Sequence, residues 1–421
     1  MKRLLALLTA LLFAAQALAG TFGWHYPTTG GAVPSLSLDF TTGVVDSRLT
    51  ISGGAGGTRV NSSGNIVSAS APRFDYDPVS LAARGLLVEE QRTNLLLRSS
   101  ELDDATAWTK NNATVTANAT SSPDGGVNAD KIVEDGTNTE HNDSQTLNVT
   151  SGVTYTYSVY LKPAGRTVIS LAFRVASLWP SGLNQIVDFT LTGNGSAASS
   201  SGTATSTIAA VGNGWYRCSI TSTAAATGAA QVRIQWTSAG DSASGVYAWG
   251  AQAEAGSFAT SYIPTTTAQV TRTADSVTMT GAAFSSWFNA TQGTLYGEAD
   301  IAAVPPAGRV VAMLTDATVT NAIDIRFRPA SLGGIVTGTA GFSTGAYTPN
   351  AVQKMAIAFA ANDFAFSPNG AAPATLTGTL PTGMDRLFIA DPSIGQLNGH
   401  LRKLRFYPTR LPNAQLQVLT Q

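Results

Sequence analysis

Alternation dominates this chain. In "SLSLDF" (35–40) Leu36, Leu38 and Phe40 fall on one face, and in "TYTYSVYLKP" (154–163) Tyr155, Tyr157, Val159 and Leu161 do the same. "VISLAFRV" (168–175) turns Ile169, Leu171, Phe173 and Val175 one way and Ser170 and Arg174 the other. "QVRIQWTS" (231–238) points Val232, Ile234 and Trp236 inward with Arg233 and Gln235 outward. A period of two marks a strand with one buried face, and strands of this kind form antiparallel sheets wetted on the other side. Such runs fill the stretch from Asn94 to Pro264 and return in 293–304, 308–316, 322–329, 352–370 and 397–408. In the last, Leu401, Leu404 and Phe406 intermix with Arg402, Lys403 and Arg405, so one face is basic.

Turn signals separate the runs. Asn61 to Gly64 predicts a hairpin turn, and Asn369-Gly370 is the strongest short hairpin signal in the chain. The polar, low-complexity stretch at 192–206 predicts an extended strand pair or a loop. "RLPNAQLQVLTQ" at the end has helical spacing, with Asn413 as N-cap and Leu416 and Leu419 on one side. The pattern predicts an all-β protein: two antiparallel jelly-roll β-sandwiches in tandem, at 94–265 and 266–421, preceded by a small β-rich connector segment at 20–93. Trp215 and Trp236 are expected in the core.

Composition agrees with short strands and tight turns. Charged residues make up 12% of the chain, and 41 of its 421 residues are glycine. A net charge of −1 offers no bulk field for nucleic acid, so nucleic acid is not an expected partner. One cysteine, Cys218, rules out an intrachain disulfide, and three histidines leave few parts for metal or triad chemistry. Residues 1–19 carry a basic start (Lys2, Arg3), an apolar run and an Ala17-x-Ala19 site, which reads as a secretory signal peptide. An uncleaved hydrophobic leader and a misplaced start are the other two readings.

The segment "PRFDYDPVSLAARGLLVEEQRTNLLLRS" (72–99) is denser in charge than its surroundings. Paired carboxylates raise the question of glycosidase chemistry. Glu89 and Glu90, however, adjoin Arg84, Arg92 and Arg98, which predicts a buried or interfacial ion-pair network linking two modules.

Taken in order, "SLSLDFTTG", "PRFDYDP", "RGLLVEEQRTNLLLRS", "YTYSVYLKP", "GWYRCSIT", "VYAWGAQAEAGSFATSYIPT" and "LRKLRFYPTRLPNAQLQVLT" resemble tailed-bacteriophage and prophage tail-fibre or minor tail proteins. The middle unit resembles jelly-roll carbohydrate-binding modules, and the last a concanavalin A-like or laminin-G-like lectin sandwich. The resemblance implies a structural, receptor-binding role, with cell-surface glycans and other virion or tail proteins as partners, a homotrimer, and a place in the virion. The leader departs from the phage pattern and points instead to an exported adhesion protein of prophage origin.

Sugar sites on sandwiches combine an aromatic platform with amide, carboxylate and guanidinium groups. Trp179, in the "SLWPSG" loop, is the candidate platform, with Arg174 and Gln235 lining the same face. A structural calcium would draw on Asp300, Asp316, Asp324 and Asp391, and no cofactor is expected otherwise. With no nucleophile elbow or His-based triad legible, the protein is not expected to be an enzyme; the alternative, a glycan-degrading enzyme, would use Asp75, Asp77, Glu89 or Glu90.

Overall fold

The computed structural model describes residues 31–338, 341–390 and 395–421. The leader and Asp391 lie outside the described residues. Two β-sandwiches account for nearly all of the rest, as the alternation predicts.

The first sandwich stacks two six-stranded antiparallel sheets. One contains Thr154–Ala164, Tyr216–Thr223, Thr205–Ala210 and Gly245–Ala255; the other contains Asn138–Val149, Val168–Arg174, Gln185–Thr190 and Gly228–Ala239. Tyr157, Val159, Leu161, Ile169, Leu171, Phe173, Val232, Ile234 and Trp236 meet between them, on the faces their spacing assigns. Val175 does not: it has left the strand with a φ of 72° and is exposed. Trp215 is buried as expected, but in a separate cluster with Tyr160, Trp249 and Tyr262 on the outer face of the first sheet. The low-complexity stretch does form two strands, Ser196–Ser201 and Thr205–Ala210, which sit at the edges of opposite sheets.

The second sandwich has one sheet of eight strands and one of seven. The segment read as a connector ahead of the first sandwich supplies strands to both. Leu36–Asp39, Phe74–Tyr76 and Ala83–Val88 join the eight-stranded sheet, and Thr50–Ser52 pairs with Ser276–Thr280 in the other. Leu36, Leu38, Phe40, Leu86 and Val88 therefore share a core with Leu295, Ile325, Phe359 and Phe406. The chain leaves this sandwich and returns to it through a short antiparallel pair, Arg92–Asn94 against Val270–Arg272. In space, the first sandwich is an excursion from the second.

Local departures have local causes. The phase of Gly399–Tyr407 shifts between Leu401 and Leu404 because a bulge opposite Glu298 and Ala299 inserts one residue. Asn369-Gly370 has positive φ at both residues, yet it lies within the longer connection between Asp363–Pro368 and Ala374–Leu376. The two-residue hairpin falls earlier, at Ala361 and Asn362, between Gln353–Ala360 and Asp363–Pro368. The Asn61 turn forms as predicted, its side chain accepting from the Ser63 and Asn65 amides. The final helix spans Asn413–Leu419 with Pro412 as N-cap and no side-chain cap, so Asn413 is its first residue instead of its cap. Leu416 and Leu419 are buried against the eight-stranded sheet, as their spacing implies.

Candidate functional site

The segment at 72–99 forms a clasp between the sandwiches. Arg73 is fully buried and directs Nη1 to Glu89 Oε2 at 2.7 Å and Nη2 to Asp275 Oδ2 at 2.5 Å. Glu89 in turn accepts from the Ser261 amide and hydroxyl, both at 2.7 Å, tying the second sandwich to the end of the first. Arg272 completes the network, 3.5 Å from Glu89. Burial disfavours the Glu89 charge, but Arg272 and Arg73 outweigh it and hold the carboxyl far below its usual range. The ion-pair reading of this segment is right, whereas the expected arginines are not its centre. Arg84 pairs with Asp77, Arg98 with Glu101 and Asp104, and only Arg92 serves the pair, through Glu90. Arg272 was invisible beforehand because it lies far along the chain.

Beside the clasp, the two sandwiches enclose a cleft of about 580 Å³, within the range of small-molecule sites, which favour domain boundaries. One wall is the outer face of the first sheet. Its register sets Thr205, Thr221 and Thr156 in one row, Thr207, Ser219 and Ser158 in the next, and Ala209, Arg217 and Tyr160 in a third. Alternation explains this ladder: the same strands send Tyr157, Val159, Cys218 and Ile220 into the core. Neighbouring hydroxyls are bonded to one another, Thr156 to Thr221 at 2.8 Å and Thr207 to Ser219 at 2.6 Å. Arg217 reaches the Thr260 carbonyl at 2.6 Å and lies over the Tyr160 ring.

The opposite wall belongs to the second sandwich. His400 lies between two carboxylates, Nε2 being 3.0 Å from Asp75 Oδ2 and Nδ1 2.9 Å from Asp300 Oδ1. Asp75 and His400 meet because Ala83–Val88 packs between Phe74–Tyr76 and Gly399–Tyr407, and Asp300 joins them from just past the end of Gln292–Ala299, which pairs with Gly399–Tyr407. Gly85, paired with Asp75, permits the approach: a Cβ there would lie 2.4 Å from the Leu401 carbonyl oxygen. Burial opposes the imidazolium, but the Asp300 charge and both carboxylate bonds win and push the His400 pKa up to about 9. Asp77, on the same wall, is held at about 2: burial works against its charge, and the Ser80 amide and Arg84 overcome it.

Of the residues singled out in the sequence, Asp75, Asp77 and Glu89 line this cleft, whereas those chosen for sugar binding lie elsewhere. Arg174 and Gln235 share the outer face of the other sheet of the first sandwich, where Gln235 is flanked by Ser170 and Asn142. Glu140 bridges Arg233 at 2.7 Å and Arg174 at 3.6 Å on that face. Trp179 is not a platform, because it is only 1% exposed. Two short 3-10 turns fold its loop back, so that the indole stacks on Phe173 at 4.5 Å and donates to the Arg174 carbonyl at 3.0 Å. Trp179→Phe is therefore expected to cost about 1–2 kcal/mol through the lost hydrogen bond and looser packing. Urea unfolding checks this; an unchanged midpoint would return the indole to the surface.

The three described aspartates considered for calcium do not converge. Asp300 serves His400, Asp316 closes its own turn onto Thr318, Thr320 and Asn321, and buried Asp324 pairs with Arg326. Among the described residues, no group of three or more acidic, histidine or cysteine side chains could hold a metal ion.

No family model matches this chain. No curated protein matches it either. Among solved structures, the Trypanosoma rangeli sialidase in complex with 2,3-difluorosialic acid is similar at 12% identity and a TM-score of 0.28, over 34% of this chain and 25% of that one. This chain thus spans about a quarter of that sialidase. The CBM40 of the Ruminococcus gnavus IT-sialidase bound to α2,3-sialyllactose is similar at 13% identity and a TM-score of 0.27, over 31% of this chain and 83% of that one. Domain 4 of AbnA, a GH43 extracellular arabinanase from Geobacillus stearothermophilus, in complex with arabinotriose, stands at 11% and 0.27, over 35% and 73%. The expectation that the protein is not an enzyme is corrected by these comparisons, since sialidases stand among the similar structures. Asp75, His400 and Asp300 come together from positions that no local motif connects.

Proposed function

We propose that this protein recognises carbohydrate and holds it in the cleft between its sandwiches. The observation that carries this reading is the hydroxyl ladder of Thr205, Thr207, Ser219 and Thr221, facing charged side chains across a cavity of about 580 Å³. Sugars present donors and acceptors at every hydroxyl, and a wall of side-chain hydroxyls answers either role. Tyr76 and Phe258 add aromatic surface to the lining. The similar solved structures include domains bound to sialyllactose and arabinotriose, which is consistent with this reading.

The test is titration calorimetry of glycans found by array screening, using the full chain and its Thr205→Val/Thr207→Val variant. Both threonines are exposed on an edge strand, so the fold should be retained. Affinity is expected to drop about tenfold, each lost hydrogen bond costing about 0.5–1.5 kcal/mol. Undiminished binding would remove the cleft from the account.

The finer reading is an adhesive protein of the phage tail-fibre or minor tail type, recognising cell-surface glycans within a virion or exported from a cell. Its support is the order of sequence segments and the clasp they form: the "PRFDYDP" and "GLLVEEQRTNLL" segments supply Arg73 and Glu89, which join the sandwiches through Ser261, and Asp75, which lines the cleft. Co-purification with particles would support the virion arm, and release of a processed chain into the medium the exported one.

A further inference from the structure

Some cations lining the cleft have no carboxylate beside them. Each acidic side chain lining it has a cationic partner: Asp75 and Asp300 share His400, Asp77 has Arg84, and Glu89 has Arg73 and Arg272. Two lining arginines have no such partner among the described residues. Arg59, on the hairpin of Gly57–Val60 and Ile66–Ala69, donates to the Val60 and Phe74 carbonyls at 3.4 and 3.3 Å. Arg217, on the first-sandwich wall, donates to the Thr260 carbonyl and the Ser158 hydroxyl, and its buried Nε has no partner at all.

An arginine without a carboxylate at the protein surface is commonplace, because water solvates it. Here two of them line one cleft, and Arg217 is held in place from beneath by the Tyr160 ring, 5.3 Å from its guanidinium carbon. A guanidinium fixed by packing and backbone bonds loses little freedom when it takes a planar anion, and its fork matches carboxylate or sulfate oxygens. Next to Arg217 on the same face stand the hydroxyls of Thr207, Ser219 and Thr221, suited to the neutral part of the same ligand.

We infer that the cleft selects acidic saccharides, bearing a carboxylate or sulfate group that Arg59 and Arg217 neutralise while the threonine and serine ladder holds the ring hydroxyls. This rests on the glycan reading and adds the ligand class to it. Binding should weaken as salt rises, because an ion pair between ligand and protein is screened.

The experiment is an array of carboxylated, sulfated and neutral oligosaccharides probed with the full chain, and with Arg217→Gln and Arg59→Gln separately. The expected result is that the bound glycans are anionic, that each substitution weakens them tenfold or more, and that the carboxylated and sulfated arms show which anion is preferred. Arg59 is only half-buried, so its variant keeps the test valid if Arg217→Gln fails to fold. Equal binding of neutral glycans, or anionic binding indifferent to both substitutions, overturns the inference while leaving glycan recognition standing. No binding anywhere on the array overturns the glycan reading itself.

Discussion

Arg73→Met is expected to destabilise the protein by about 3–5 kcal/mol, the cost of stranding buried charges by removing their partner. The Arg73 side chain is 0% exposed and touches Glu89 and Asp275, whose side chains are 6% and 2% exposed. Methionine fills part of the space but leaves Glu89 with Arg272 alone and Asp275 with no cation within its former pair. Burial already pushes the Asp275 carboxyl above its ordinary value, even with Arg73 beside it. The variant should therefore recover part of its loss as pH falls and these carboxylates take up protons. Breaking the exposed pair of Asp385 and Arg386 by Arg386→Ala is the control, expected to change stability by less than about 1 kcal/mol. Urea unfolding of the three proteins reads the difference. The clasp also predicts its form: wild type should unfold with the sandwiches coupled, and Arg73→Met should separate their transitions, because Glu89 and Ser261 hold them together. A loss below about 1 kcal/mol with one unchanged transition would mean that the clasp is incidental to docking.

Much of this architecture was legible, and the reason is periodicity. In strands such as Thr154–Ala164 the apolar side chains at every second position enter the core, so the sequence displays that face directly, even though Thr156, Ser158 and Tyr160 on the other face are buried as well. Pairing is less visible. Leu36, Leu38 and Phe40 announce a strand, yet nothing local says that its partner is Gly399–Tyr407 at the far end of the chain. The same blindness hid the site. Asp75, Asp300 and His400 are ordinary in their own segments, and only the neighbouring of three strands makes them a cluster. Trp179 shows the converse error: Pro180 correctly marks a loop, but a loop can fold its aromatic residue inward when a backbone carbonyl waits for the indole N–H. Charge balance was readable for the segment at 72–99 because a glutamate pair among arginines requires compensation. Which arginine supplies it depends on the fold.

His400→Gln should cost about 3 kcal/mol near pH 6 and progressively less toward pH 9 and above. The folded protein holds the imidazolium with a pKa raised from 6.5 to about 9, and each unit is worth about 1.4 kcal/mol. A histidine with a raised pKa contributes its full stabilisation below the unfolded value of about 6.5, where both states carry the proton. That stabilisation declines as pH rises, because the unfolded chain releases its proton first, and it is gone once pH has passed the folded value. The acid limb has its own cause. His400 holds the Asp300 carboxyl below its ordinary value, so that part of the contribution is lost as pH falls and the carboxylate protonates. Wild type minus variant should thus be widest between about pH 5 and 6.5 and close toward both ends. Glutamine can still hydrogen-bond to Asp75 and Asp300, so a constant offset across pH would assign His400 a role in packing alone. Urea midpoints from pH 4 to 10 for both proteins decide between these shapes. The outcome reaches beyond stability, since an imidazolium that keeps its proton through neutral pH presents the cleft with a fixed cation instead of a base. A difference that falls from about pH 6.5 and levels off near pH 9 would make the floor of the cleft electrostatically constant across the neutral range, and a difference flat across that window would mean that His400 titrates there at its ordinary value.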